Sequence, residues 1–222
     1  MNQTADSRKS NKGNSKISLF DVTKRMADIM ISGIFLIALL PVFLLIAVAI
    51  KLEDGGAVIY RHNRVGKNGR PIRIFKFRTM RPDAERMKEY LSPEQLEEFQ
   101  REFKLTDDPR VTKIGRFLRV TSIDELPQFL NILAGEMSLV GPRPLVEDEL
   151  VEKYTDAERE KLLSVKPGLT GLWQVSGRNN CTYENRRRQN IELSYVERRS
   201  LPLDVSILLK TIVVVLRRDG AH

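Results

Sequence analysis

The longest feature in the hydropathy pattern is Ile29 to Ile50, a run of 22 residues between Asp28 and Lys51 with no charge in it. As one helix it measures about 33 Å, enough to cross the hydrocarbon core of a bilayer. Pro41 sits near its middle, removes one backbone donor and sets its ring against the carbonyl of Ile37, so a kink or break is expected there. Beyond the run, Ala57 to Val65 and Pro71 to Phe77 flank Lys67-Asn68-Gly69, and Asn-Gly between extended segments predicts an antiparallel hairpin. Ser92-Pro93-Glu94-Gln95 reads as a capping box opening a charged helix to about Phe103. Ile123 to Leu133 should be helical and Leu139 to Leu145 a loop. Lys166-Pro167-Gly168 and Gly171 mark a second loop that holds Trp173 and Arg178. Glu184 to Arg199 reads as a basic helix. Val205 to Leu216 is apolar except for Ser206, Lys210 and Thr211. Its twelve residues are too few to span, so it is either a helix in the headgroup plane or a buried core helix.

Charge changes how the long apolar run is read. The flank before it carries Arg8, Lys9, Lys12, Lys16, Lys24 and Arg25. The segment from 51 to 78 carries eight basic residues against Glu53 and Asp54. Positive charge on both sides places both flanks in the cytoplasm, which a spanning helix cannot satisfy. A helix that bends at Pro41 and returns through the same leaflet satisfies both. The run is too long for the core of a signal peptide. The expected organisation is a disordered polar tail over 1–18, a re-entrant membrane helix over 19–52, and a cytoplasmic catalytic domain over 53–222 with interfacial helices. The fold class is α/β and mostly helical, with a small antiparallel hairpin and amphipathic helices on the membrane surface.

Composition narrows the chemistry. The chain has 222 residues, 37 Lys and Arg against 29 Asp and Glu, and a net charge of +8, which favours anionic partners. One cysteine, Cys181, excludes an internal disulfide, and two histidines exclude a multi-histidine metal site. There is no Gly-rich phosphate loop and no GxGxxG.

Within Leu118 to Gln128, the adjacent carboxylates Asp124 and Glu125 follow Arg119, and Gly141-Pro142-Arg143-Pro144 lies shortly after. Ser122 to Glu125 fits an ordinary capping box, with both acids merely stabilising a first helical turn. The same placement also suits chemistry, since a helix start keeps a carboxylate ionised, the form that ligates Mg²⁺ or attacks phosphorus. Pro142 and Pro144 restrict the backbone around Arg143 and would hold its guanidinium in place. Lys76 and Arg78 alternate with Phe75 and Phe77 on a strand, and are either phosphate ligands or the wet face of a sheet. A competing class is a non-enzymatic basic module on acidic lipid or nucleic acid. The acidic pair argues against it, because it repels nucleic-acid phosphate.

The chain resembles the monotopic bacterial sugar transferases, or polyprenyl-phosphate hexose-1-phosphate transferases. The strings that carry the resemblance are Tyr60-Arg-His-Asn-Arg-Val-Gly66, Phe75-Lys-Phe-Arg-Thr-Met80, Asp108-Pro-Arg110 with Ile114-Gly-Arg-Phe-Leu-Arg119, Thr121-Ser-Ile-Asp-Glu-Leu-Pro-Gln128, Gly135-Glu-Met-Ser-Leu-Val-Gly-Pro-Arg-Pro144, and Lys166-Pro-Gly-Leu-Thr-Gly171 with Gln174-Val-Ser-Gly-Arg178. They cover roughly residues 20 to 220 in family order. The strings Trp173 to Asn180 and Leu216 to Ala221 look most like members that transfer galactose-1-phosphate. One departure is Leu40-Pro41 where the family usually has Ser-Pro, so a hydroxyl able to satisfy a freed backbone group is missing.

The resemblance implies transfer of a hexose-1-phosphate from a UDP-sugar to polyprenyl phosphate with release of UMP. It places the work at the bacterial inner membrane, catalytic domain on the cytoplasmic side, in a first step of exopolysaccharide, capsule or O-antigen synthesis. Asp124 would be the attacking aspartate and Glu125 its partner, the two holding Mg²⁺ as cofactor. Lys76, Arg78, Arg119, Pro142, Arg143, Pro144 and Arg178 would form the substrate and phosphate site. Nucleic acid is not an expected partner, and the sequence leaves a homodimer open.

Overall fold

The computed structural model describes residues 18–102, 105, 107–176, 183 and 185–217. The tail before Ser18 and the site residue Arg178 therefore lie outside the described residues.

Helix α1 runs from Leu19 to Asp54, 36 residues, with Pro41 inside it. Ser18 caps its start by accepting the Phe20 N–H at 3.3 Å, and Gly55 ends it in a left-handed conformation with its N–H on the Lys51 carbonyl. The expected interruption at Pro41 does not divide it into two helices, because the proline removes a single donor while apolar neighbours on both sides keep the helical pattern. One face of α1 is buried at Asp28, Ser32, Ile46 and Ile50. The rest is open: Leu19, Val22, Met26, Met30, Ile34, Ile37, Leu44, Leu45, Val48 and Leu52 are all exposed, a sheet of apolar surface that water does not favour. A helix exposed to this degree is not the core helix of a soluble domain.

Both ends of α1 are fastened to the same globular body. Near its start, Lys24 pairs with Asp204, Arg25 donates to the carbonyls of Ile132 and Leu133 at 2.6 and 2.9 Å, and Asp28 accepts from the Leu139 N–H at 2.9 Å. In the middle, Phe35 stacks on Phe129 with centroids 5.3 Å apart, and Phe43 meets Phe77 edge-on at 5.2 Å. Near its end, Glu53 accepts the Ile114 N–H at 3.2 Å and Asp54 pairs with Arg78.

The hairpin forms as expected. Strands β1 (Ile59–Val65) and β2 (Pro71–Phe77) pair antiparallel from Ile59 opposite Phe77 to Val65 opposite Pro71. Asn68 and Gly69 take the positive φ values of 58° and 72° that the turn needs. Two short helices follow, α2 (Met87–Tyr90) and α3 (Pro93–Glu102). Ser92 and Gln95 make the reciprocal capping bonds, at 3.1 and 3.3 Å, and Pro93 is the first helical residue.

Next come α4 (Lys113–Val120), a 3-10 turn over Ile123–Gln128, and α5 (Phe129–Ala134). The region expected to be a loop from Leu139 starts instead as strand β3 (Ser138–Val140). After α6 (Glu147–Lys153) and α7 (Asp156–Leu163), strand β4 (Gly168–Thr170) pairs with it in parallel. Three-residue strands leave no alternation to read, so a long-range pairing of this kind looks like loop in the sequence. The chain ends in α8 (Leu172–Val175), α9 (Arg187–Arg198) and α10 (Leu201–Arg217). The α10 helix buries Asp204 and Ile207 and leaves Val205, Leu209, Ile212, Val213 and Leu216 exposed. Of the two readings open for this segment, it has the open apolar face of an interfacial helix. The main core joins β2, α5, β3, Tyr195 and Ile207.

Candidate functional site

The carboxylate pair sits on the 3-10 turn after α4. Ser122 does not cap it: its φ is 55°, in the left-handed region, and its side chain makes no capping bond. The ordinary capping-box explanation of Asp124 and Glu125 therefore fails. The turn is fixed by its neighbours. Asn131, fully buried on α5, takes the Phe75 N–H at 2.9 Å and gives its amide protons to the Arg73 carbonyl at 2.8 Å and to Glu136 at 2.6 Å. One side-chain amide thus stands in for a third strand beside β2 and ties that strand to the helix leaving the turn.

With β2 so held, Lys76 reaches Glu125 at 2.6 Å. Arg119 comes from the other side. Its α4 helix lies so close to Thr79 that a Cβ on Gly115 would meet the Thr79 carbonyl oxygen at 2.0 Å. In that position the Arg119 Nε donates to the Thr79 hydroxyl at 2.9 Å. Asp124 is only 8% exposed. Burial, and then the charge of Glu125, push its carboxyl up to about 6, while Lys76 and Arg119 pull the other way. The expectation that a helix start holds Asp124 ionised is corrected here. A six-residue 3-10 turn lacks the aligned dipole of a long helix, and the cations supply the stabilisation instead.

Arg78, grouped with Lys76 in the sequence reading, goes elsewhere. Its guanidinium binds both carboxylate oxygens of Asp54 and the carbonyls of Ala57 and Met80. It is 9% exposed and works as a latch between the end of α1 and the hairpin. Adjacent positions on a strand point to opposite faces, but Lys76 and Arg78 are two apart, and alternation alone puts them on one face. The strand ends at Phe77, so the alternation does not reach Arg78.

Arg143 and its prolines follow β3. The backbone here is pressed onto the stretch around β4: a Cβ on Gly168 would meet the Gly141 nitrogen at 2.1 Å. The Arg143 N–H donates to the Glu192 carboxylate at 3.3 Å, and the guanidinium lies over the Trp173 ring at 5.6 Å. Burial opposes the Arg143 charge, but Glu149, Glu125 and Glu192 more than offset it and raise its pKa. Glu125 thus connects the carboxylate pair electrostatically to Arg143.

The structure adds residues for which the sequence reading had no role. Glu149, from α6, accepts from the Tyr183 hydroxyl and from Arg188 at 3.0 Å. The Arg188 guanidinium is held between the rings of Trp173 and Tyr183, at 4.3 and 4.2 Å. His62 and Arg64 project from β1 beside this group, with Arg64 Nη2 on His62 Nδ1 at 3.2 Å. Burial first, then Arg64, Lys76 and Arg143, push His62 down to about 3, so at neutral pH it is uncharged and accepts the Arg64 proton. The local signals for His62 and Arg64 were their place in the string Tyr60 to Gly66 and, for Arg64, in the basic segment from 51 to 78.

Among the described residues, no group of three or more His, Cys, Asp or Glu forms a metal cluster. Asp124 and Glu125 offer a hard, two-carboxylate donor set. That fits Mg²⁺, which commonly takes one or two carboxylates and completes its shell with water and substrate phosphate.

A family model described as "Bacterial sugar transferase" matches residues 19–218. The exopolysaccharide production protein ExoY of Sinorhizobium fredii is 47% identical over 204 residues, covering 90% of this chain and 88% of its own length. The undecaprenyl-phosphate galactose phosphotransferase of Salmonella typhimurium is 46% identical over 202 residues, 90% of this chain and 41% of its own. The UDP-galactose-lipid carrier transferase of Erwinia amylovora is 46% identical over 202 residues, with the same 90% and 41% coverage. The chain thus spans about two fifths of these last two relatives and most of the first. With a family match over nearly its whole length and carboxylates set among cations beside an apolar helix, this chain belongs to the bacterial sugar transferase family.

Proposed function

We propose that this protein transfers a hexose-1-phosphate, galactose-1-phosphate first among the candidates, from a UDP-sugar to polyprenyl phosphate at the cytoplasmic face of the bacterial inner membrane, releasing UMP. The observation that carries the proposal is the buried Asp124 beside Glu125, flanked by Lys76 and Arg119, on a turn whose Ile123 packs against the cluster that includes Ile46 and Ile50 of α1. The names of the Salmonella and Erwinia relatives support an undecaprenyl-type acceptor and a UDP-galactose donor. The name of the ExoY relative supports a place in exopolysaccharide production.

The chemistry follows from charge placement. An ionised Asp124 oxygen attacks the sugar-bearing phosphorus of the donor. The bond from that phosphorus to the bridging oxygen breaks, and UMP leaves with the electron pair. The result is a sugar-phosphoryl aspartate, which an oxygen of polyprenyl phosphate then attacks, restoring the carboxylate. Lys76 and Arg119 stand where charge builds up on the transferring phosphoryl group, the usual large term in this chemistry. Glu125 holds Lys76 in place and, with Asp124, would hold Mg²⁺, which supplies neutralisation of the diphosphate when bound. The α1 surface, immersed to headgroup depth, brings a lipid phosphate to the level of Asp124. Attachment of both ends of α1 to one body supports a helix that enters and leaves by the same leaflet.

The test is a screen of UDP-sugars for UMP release by the purified protein with polyprenyl phosphate and Mg²⁺. UDP-galactose should give the fastest release, and excess EDTA should abolish it. Absence of UMP release from every UDP-hexose would overturn the reading.

A further inference from the structure

The mechanism above accounts for the cations at Asp124 but not for those at the far end of the hairpin. Tyr60 lies opposite Lys76 in the register, and His62 and Arg64 follow at two-residue steps on the same face of β1. Arg64 is therefore about 13 Å along the strand from the level of Lys76. The bridge from the Val65 N–H to the Leu145 carbonyl, 2.9 Å, brings this end of β1 against the segment that carries Arg143. Three guanidinium groups gather there, those of Arg64, Arg143 and Arg188, among the carboxylates of Glu149 and Glu192.

The cations are not equally engaged. Arg188 gives one proton to a carboxylate, Glu149, and lies between two aromatic rings, although its Nε, like that of Arg64, is buried without an acceptor. Arg64 makes its bond to His62, a neutral group, and its Nε is buried without an acceptor. An arginine fork that is half withdrawn from water, faces other cations and keeps a buried donor unmet is in an unfavourable state. Burial and the charge of Arg143 push its pKa down to about 10, the same conclusion from electrostatics. A phosphate is the ligand class that relieves both defects, since it brings negative charge and accepts from a guanidinium in two-pronged fashion.

We infer that Arg64 is a binding residue for the nucleotide phosphate of the donor, the phosphate that departs in UMP. The inference rests on the UDP-sugar reading given above. The nucleotide phosphate then lies on the Arg64 and Arg143 side of the sugar-bearing phosphorus held at Lys76 and Asp124, and the Arg64 guanidinium is near enough to feel the charge of Glu125, the partner of Lys76. His62 is a positioning residue that holds the Arg64 fork by its neutral ring.

The experiment is calorimetric titration of UMP and of uridine into the detergent-solubilised full chain, wild type against Arg64→Gln and Arg64→Lys. It is paired with KM values for the UDP-sugar and for polyprenyl phosphate. Loss of a charged hydrogen bond should weaken UMP binding and raise the donor KM by about tenfold or more in Arg64→Gln, with a smaller loss in Arg64→Lys. Uridine binding and the KM for polyprenyl phosphate should stay at wild-type values. UMP affinity unchanged in Arg64→Gln, or lost in parallel with uridine affinity, overturns the inference. If Arg64→Gln does not fold, the same measurements on Arg64→Lys decide. Wild-type protein that releases no UMP from any UDP-sugar defeats the functional reading itself, which is a separate outcome.

Discussion

Lys76 and Glu125 are joined at 2.6 Å across the gap between β2 and the 3-10 turn, and the pair brings a cation to the one buried carboxylate of the turn, Asp124. Because the contact links two segments 49 residues apart, the site exists only once β2 and the turn after α4 are packed together.

Asp124 should carry the covalent intermediate. Asp124→Asn keeps the shape but makes a poor nucleophile, so turnover should fall by several orders of magnitude with the melting temperature little changed. Incubation with radiolabelled UDP-sugar in the absence of lipid should label the wild type and not the variant. Label on the variant, or on Glu125, contradicts the assignment, and normal turnover with no label in the wild type points to a single-step displacement.

Both flanks of α1 should lie on the same side of the membrane. In a Cys181→Ser background, cysteines placed at positions 12 and 67 should both be protected from an impermeant thiol reagent in intact cells. Labelling at one position alone would show that α1 spans. Pro41→Ala should lower activity if the bend it permits is used to seat the helix in one leaflet.

The Asn131 amide should matter more for stability than a typical buried polar side chain. Asn131→Leu removes three hydrogen bonds and leaves the partly buried Phe75 N–H and Arg73 carbonyl without these partners. At about 1–3 kcal/mol for each stranded group, the loss should be on the order of 3 kcal/mol, read as a lower midpoint in denaturant. A loss below about 1 kcal/mol would mean that β2 is held by other contacts.

The latch between Asp54 and Arg78 should show in acid. The hydrogen bond from Arg78 brings Asp54 down to about 2 in the folded chain, against an ordinary 3.8. A group lowered on folding stabilises fully above its unfolded value, and that contribution disappears as pH falls through the folded one. Wild type should therefore be more stable than Asp54→Asn at neutral pH, and the difference in melting temperature should close between about pH 4 and pH 2. A difference that is constant over that range would refute the latch.

The parts of this protein that local chemistry dictates were readable along the chain. The uncharged run from Ile29 to Ile50 announces a membrane segment, Asn68-Gly69 announces the hairpin, and Ser92 to Gln95 announces a capped helix, because each signal is complete within a few residues. Asp124, Glu125, Arg119 and Arg143 could be singled out because carboxylates and cations lay close in sequence and matched a family pattern. Tertiary structure alone decided the rest. It sent Arg78 to Asp54, raised Asp124 by burial beside Glu125, and made Asn131 a substitute strand. It also brought Arg64, Glu149, Arg188 and Glu192 to Arg143 from β1, α6 and α9. The physical reason is that a side chain's charge state and partners depend on what folding removes from water around it, and those neighbours are set by packing across the fold, not by spacing along the chain.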